Sequence, residues 1–142
     1  LWVRLSGTPS AVAAAITKLG GEMVSNPNEI WNSIREQTND FFKSSLPLWR
    51  LSVPSVAAPI SLAGKQLIEW GGAQRWLLSD VSHETIRDTV EKIGGHATRF
   101  HNDRGDGAIF HPLAPAVATL HHRLKSTFDP RGILNPGRMD NF

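Results

Sequence analysis

The segment "LPLWRLSVP", residues 46–54, contains an arginine among bulky apolar residues. As a strand it places Trp49, Leu51 and Val53 on one face and Arg50 on the other. An arginine that faces away from a core lies in solvent or binds a polar ligand, and its guanidinium fork suits a carboxylate. A plain surface arginine and a carboxylate-binding arginine both fit this pattern.

The segment "GGHATRFH", residues 94–101, is also typical of a strand. One face would carry His96, Thr98 and Phe100, and the other Ala97, Arg99 and His101. Polar groups on both faces mean that whichever face is covered must supply partners for them. A solvated edge strand and a ligand-facing strand are both consistent with this arrangement.

Gly71 and Gly72 interrupt the strand-like segment "QLIEWGGAQRWLLS". Glycine inside a strand weakens it, and often marks a place where another backbone or a ligand approaches closely. We predict a hairpin turn or bulge here, with close approach of a ligand as the alternative.

Histidines flank an aspartate between glycines in "HNDRGDGAIFH", residues 101–111. The segment resembles the metal-binding H-x-G-D-G-N-x-H pattern of flavin-dependent 2-hydroxyacid dehydrogenases. However, His101 lies too far from Gly105, Ala108 replaces the asparagine, and an extra residue precedes His111. The histidine pair 121–122 projects about 100° apart on a helix, so the two cannot easily share an ion. We predict a Gly/Asp turn and no metal.

The C-terminal segment "FDPRGILNPGRM", residues 128–139, is rich in proline, glycine and arginine. Pro130 prevents continuation of a preceding helix. Ile133 and Leu134 are predicted to anchor the loop in a core, together with Phe128. Asn135 and Arg138 would then be polar groups held on a rigid support.

Composition excludes several classes of function. The 142 residues include no cysteine, which rules out a thiol nucleophile, a disulfide and a cysteine-held iron–sulfur cluster in this chain. The net charge of +2 is too small to indicate nucleic acid. The chain carries neither a phosphate loop nor a dinucleotide fingerprint. Because it starts at Leu1 inside a strand-like pattern, without methionine or signal peptide, we expect a fragment or processed product.

The sequence contains a loose internal repeat with an offset of 74 residues, called the echo below. The matching positions are Trp2 with Trp76, Leu5 with Ser79, Thr8 with Ser82, and Gly20-Gly21 with Gly94-Gly95. Each copy is predicted to form a strand, a capped helix, a glycine turn and a second strand. The sequence therefore predicts an α+β fold: a ferredoxin-like antiparallel sheet built from two βαβ units, with helices packed on one face.

The C-terminal segment "RLKSTFDPRGILNPGRM" resembles the signature of FAD-linked oxidases of the vanillyl-alcohol-oxidase type. Four further segments resemble, more narrowly, the FAD-binding subunits of bacterial glycolate oxidases: "IWNSIREQTNDFF", "PLWRLSVPS", "EWGGAQRW" and "GGHATRF". The resemblance extends from Leu1 to Met139.

This resemblance implies that residues 1–142 form a single cap domain with a C-terminal oxidase tail, while the FAD-diphosphate domain precedes it and is absent here. It also implies oxidation of glycolate to glyoxylate with FAD as cofactor. The partners would be a sister FAD-containing subunit and an iron–sulfur subunit that receives the electrons. The location would be cytoplasmic, with peripheral membrane attachment only through the complex. In the family the sister subunit carries the clearer metal motif, so no catalytic residue is assigned in this chain.

The resemblance also suggests roles for particular residues. The expected substrate-binding residues are Arg50, His96 and Arg99, and the expected FAD-binding residues are Gly71, Gly72, Asn135 and Arg138. Two other functions remain open: a non-catalytic assembly domain that contacts the sister subunit, and a ferredoxin-like module that binds a small ligand. RNA binding is disfavoured by the modest charge and the lack of an aromatic RNA-binding strand.

Overall fold

The computed structural model describes residues 1–102, 105 and 108–137 of the chain. It divides the chain into two compact units, Leu1–Asn39 and Asp40–Phe142. The single cap domain expected from the resemblance stays a prediction.

The first unit consists of two helices, α1 (Pro9–Leu19) and α2 (Pro27–Arg35). Thr8 caps α1, because its hydroxyl accepts the Ala11 amide at 3.4 Å. No strand forms within residues 1–39, so the prediction of a complete βαβ unit in the first copy of the echo is wrong. A strand needs a neighbour to pair its backbone, and this unit supplies none to either flank of α1.

The second unit is built on a four-stranded sheet. Its strands are β1 (Leu48–Ser52), β2 (Lys65–Glu69), β3 (Gln74–Leu78) and β4 (His96–His101). Helix α3 (His83–Glu91) connects β3 to β4, and helix α4 (Pro115–Phe128) follows β4. The order across the sheet is β2-β3-β1-β4, and every neighbouring pair is antiparallel. The predicted α+β fold with an antiparallel sheet is confirmed.

The second copy of the echo forms the predicted unit, β3-α3-β4. Both strands run antiparallel to β1, so they are parallel to each other with β1 between them. This is a split βαβ arrangement. Ser82 caps α3 by accepting the Thr85 amide at 3.3 Å, as Thr8 caps α1.

One face of the sheet packs against α3 and forms the main core. Its buried members are Trp49, Leu51, Val53, Ile60, Leu77, Ile86, Val90 and Ala97. Ile86 and Val90 come from α3 and are fully buried. The predicted alternation of β1 is confirmed, since Trp49, Leu51 and Val53 all belong to this face.

Within the described residues of this second unit, the opposite face is covered at one end only. Leu48, Trp76 and Leu78 are buried there beneath Phe41, Phe42, Leu46 and Leu67. Phe41 and Phe42 lie in a 3₁₀ turn, Asp40–Phe42. Apart from Phe100, which packs on Trp76, the rest of this face carries polar side chains.

The apolar side chains of α4 and the following loop are exposed. Val117, Leu120, Leu124 and Phe128 are all exposed on α4, and Ile133 and Leu134 are 66% and 56% exposed. The predicted packing of Phe128, Ile133 and Leu134 into a core is therefore wrong. Among the helices that the structure describes, none is long and apolar enough to cross a membrane.

Polar contacts order the loop after α4 instead. Asp129 is buried, and its carboxylate accepts the amides of Ile133 at 3.0 Å and Leu134 at 2.9 Å. The Lys125 ammonium donates to the same carboxylate and to the Leu134 carbonyl. Hydrogen bonds to one aspartate thus do the ordering that the sequence attributed to apolar packing.

Candidate functional site

The polar part of the sheet face opposite α3 is the candidate site. This open face comprises Arg50, Ser52, Glu69, Gln74, His96 and Thr98. Register brings them together, since Arg50 pairs with Trp76 on β3 and with Thr98 on β4. Directly opposed residues of an antiparallel pair share a face, with Cβ atoms about 5 Å apart.

Arg50 lies at the centre of the open face, on an interior strand of the sheet. Its side chain is half-buried. Among the residues that the structure describes, its guanidinium has no hydrogen-bond or ion-pair partner. By contrast, Arg75 on the other face is satisfied by the carbonyls of Gly72, Ala57 and Ala58. A half-buried guanidinium with five unused donors is suited to an anionic ligand.

An aromatic wall borders Arg50 on one side. Trp76 is buried, and its ring packs edge-to-face against Phe42 at 5.6 Å and Phe100 at 5.0 Å between centroids. Its indole N–H donates to the Glu69 carboxylate, which also accepts from Gln74 at 3.3 Å. These contacts hold the indole in place, so the wall is rigid and lowers the dielectric next to Arg50.

His96 lies on the same face as Arg50, whereas Arg99 lies on the opposite one. Ser52 pairs with His96, and Trp49 pairs with Arg99. His96 is exposed, and Arg99 is buried with its guanidinium carbon 5.4 Å from the Trp49 ring centroid. The structure therefore brings together Arg50 and His96, and the sheet separates Arg99 from both.

Arg99 shares the Trp49 ring with a second buried arginine. The Arg87 guanidinium carbon lies 5.7 Å from the same centroid, and Arg87 also donates to the Ala108 carbonyl. Burial, reinforced by the nearby Arg99 charge, lowers the pKa of the Arg87 guanidinium. These contacts give Arg87 and Arg99 a packing role beneath the sheet.

Gly71 and Gly72 lie in the 3₁₀ turn Trp70–Gly72 that joins β2 to β3, as the hairpin interpretation predicted. A Cβ on Gly72 would lie 2.8 Å from the Ser55 carbonyl oxygen, so the chain's own backbone approaches closely here. Trp70 is exposed and has a positive φ of 51°, which is rare for a large residue. Contact of this turn with FAD stays a prediction.

Asn135 is exposed with a positive φ of 46°, in the loop that Asp129 orders. Arg138 lies outside the described residues. The FAD-binding role expected for both is untested.

The metal prediction concerns the histidines of residues 101–111 and the pair 121–122. The His111 ring nitrogen Nδ1 accepts the Ala97 amide at 3.4 Å, and burial lowers the pKa of His111. Among residues 1–102, 105 and 108–137 there is no group of three or more His, Asp or Glu side chains that could hold a metal ion. Asp106 lies outside these ranges, and the absence of a metal stays a prediction.

Sequence reasoning missed the role of Trp76 and Glu69 in the wall. The alternation of β3 places Trp76 and Gln74 on one face, and this pattern could have predicted that they lie side by side. It does not reveal which strands flank β3, because strand order depends on contacts distant in sequence.

Comparison with known proteins gives two matches. Residues 111–139 match the family described as FAD linked oxidases, C-terminal domain. The chain is also 46% identical, over 139 residues, to glycolate oxidase subunit GlcE of Escherichia coli (strain K12). The match covers 98% of this chain but only 38% of that relative. No solved structure gives a significant match. The resemblance predicted from the sequence is confirmed, and with it FAD as the cofactor of the proteins that the chain resembles.

Proposed function

We propose that this chain is the substrate-covering, C-terminal part of an FAD-linked oxidase subunit that acts on glycolate. Its 46% identity to a glycolate oxidase subunit and its match to the C-terminal domain of FAD linked oxidases support this proposal. The structural observation that carries it is the half-buried Arg50, with no partner in the described part of the chain, at the centre of the open face.

Arg50 binds the substrate carboxylate in this proposal. A guanidinium fork can donate a hydrogen bond to each of the two carboxylate oxygens, which fixes the orientation of a small 2-hydroxy acid. Trp76 limits the space on one side and excludes water, which strengthens the ion pair. Thr98 and His96 offer a hydroxyl and an imidazole on the same face for the α-hydroxyl of the substrate.

FAD fits the donor set of the open face. An arginine, hydroxyls and an imidazole beside an aromatic wall suit a planar, carbonyl-bearing ring with an anionic substrate against it. When bound, FAD supplies the hydride acceptor. We propose Gly71, Gly72, Asn135 and Arg138 as its contacts in this chain, while most of its binding energy comes from polypeptide outside it.

The proposed setting is a complex. The relative is named as a subunit, which supports assembly with other chains. We propose that electrons leave through a separate iron–sulfur subunit beside a sister flavin subunit. The absence of cysteine means that residues 1–142 do not themselves ligate a cluster through thiolates. We propose a cytoplasmic location with membrane attachment only through these partners, and an inactive isolated fragment.

Kinetics of the assembled enzyme test the role of Arg50. Arg50→Lys replaces a bidentate fork by a point charge and should raise KM for glycolate about 30- to 1000-fold, equivalent to about 2–4 kcal/mol. Lys65→Met is the matched control, because Lys65 is an exposed cation on the far strand β2. Unchanged kinetics in Arg50→Lys would contradict the proposal and favour an assembly role.

A further inference from the structure

The first unit contains an open apolar cleft beside α1. Its volume is about 570 Å³, and it is lined by the first turns of α2, including Ile30 and Trp31, by both flanks of α1 and by α1 itself. The lining includes Trp2 and Val3 before the helix, Val12 and Ile16 on it, and Met23 after it. Trp2 and Val3 are each 58% exposed, and Met23 is 77% exposed.

The second copy of the echo shows what fills the equivalent space. With the offset of 74, Val3 corresponds to Leu77 and Met23 to Ala97, and both of these second-copy residues are fully buried. β1 lies between the two strands that carry them, pairing with β3 on one side and β4 on the other, and its Trp49 and Leu51 pack in the same core as both residues.

The helices of the two copies show the same difference. Ile86 and Val90 of α3 are fully buried against the sheet. Their counterparts Val12 and Ile16 on α1 are only half-buried. The two helices begin at equivalent residues and carry equivalent caps, so the missing burial is not due to a different helix.

We propose that the cleft receives one β-strand from the same polypeptide, from a segment outside residues 1–142. The strand lies between 1–5 and 22–24, antiparallel to both, as β1 lies between β3 and β4. It presents alternate apolar side chains to Val12 and Ile16. Pairing with it converts the two flanks of α1 into strands and completes the split βαβ unit.

The length of the relative supports an occupant from the same polypeptide. The aligned region is 38% of that relative, so more than half of such a protein lies outside the part matched here. A strand needs only five or six residues. The flanks of α1 also carry the strand-like patterns "LWVRL" and "GGEMV" on either side of the cleft, which is the recognition mode of strand addition.

Hydrogen exchange of the full-length polypeptide tests the proposal. The amides of residues 1–5 and 22–24 should exchange at least about 100-fold more slowly there than in the 142-residue chain, because ladder hydrogen bonds protect them. Ile16→Asp in the full-length polypeptide should remove this protection. Ala14→Asp, on the exposed side of α1, should leave it unchanged. Equally fast exchange in both chains would overturn the proposal.

Cross-linking provides a second measurement that does not depend on the stability of a variant. The chain has no cysteine, so Val3→Cys with Met23→Cys introduces a defined pair. One intervening strand separates the two flanks by about 10 Å, which a bis-maleimide spans and a disulfide does not. Rapid disulfide formation would show direct pairing of the flanks and overturn the proposal. Protection that appears in the 142-residue chain only as it dimerises would do the same, by making a second copy the occupant.

Discussion

Arg50 and Arg99 lie on adjacent strands but on opposite faces of the sheet. Arg50 pairs with Thr98, and Arg99 is the next residue along β4, paired with Trp49. This one-residue offset directs Arg50 to the open face and Arg99 beneath α3, where it packs on the Trp49 ring. The two arginines should therefore respond differently to substitution.

Removal of the Arg99 guanidinium should lower stability. Arg99→Ala takes a buried side chain from the Trp49 ring and leaves a cavity, so the free energy of unfolding should fall by about 2–4 kcal/mol. Arg50→Ala, at a half-buried position without a partner in the described chain, should change it by less than about 1 kcal/mol. Urea unfolding followed by tryptophan fluorescence measures both. Equal losses would contradict the division of roles.

Alanine substitutions at the two glycines of the β2–β3 turn should lower the stability of the chain by different amounts. Gly72→Ala brings a Cβ within 2.8 Å of the Ser55 carbonyl oxygen and should destabilise the chain by more than about 2 kcal/mol. Gly71→Ala meets nothing within 4 Å and should cost only about 1 kcal/mol, for its positive φ of 61°. Thermal melts compare the two. If Gly71→Ala loses only this roughly 1 kcal/mol of stability but weakens FAD binding in the full-length protein, the predicted cofactor contact gains support.

The sequence predicted local structure well because its signals are local. Caps such as Ser82 and the alternation in β1 depend on neighbours within a few residues, and both appear as expected. The strands predicted for the first copy do not form, because a strand is stable only beside a partner strand. The sequence of a strand does not encode which partner that is. The echo revealed equivalent patterns without revealing that, among the described residues, a middle strand is present for the second copy only.

The candidate site was predictable in part for the same reason. Alternation placed Arg50 on a polar face, and separated His96 from Arg99, without saying which strands are adjacent. The juxtaposition of Arg50 with Trp76 and Thr98 follows from strand order, which is set by contacts distant in sequence. Burial of the C-terminal loop was overestimated because apolar residues indicate a covered surface without showing what covers it.

Truncation of Leu134 should have little effect on the 142-residue chain. Its side chain is 56% exposed, so Leu134→Ala should reduce the free energy of unfolding by less than about 1 kcal/mol. A buried leucine would cost about 2–5 kcal/mol. Leu77→Ala, at a fully buried position, is the matched control for that larger loss. Chemical denaturation of both variants distinguishes an exposed loop from a packed one.

The loop after α4 should loosen as pH falls through the pKa of Asp129. The Lys125 hydrogen bond, followed by the amides of Leu134 and Ile133, holds the pKa of this carboxyl below its usual value. A depressed folded-state pKa gives stability that is present above the unfolded value, about 3.9, and is lost as pH falls below it towards the folded value. Amide exchange at Ile133 and Leu134, corrected for intrinsic rates, should therefore be slow at pH 6 and speed up below about pH 4. Asp129→Asn should abolish this pH dependence, whereas Asp40→Asn, at an exposed ion pair with Lys43, should preserve it. Persistent protection of both amides at pH 2 would show that the carboxylate does not order the loop.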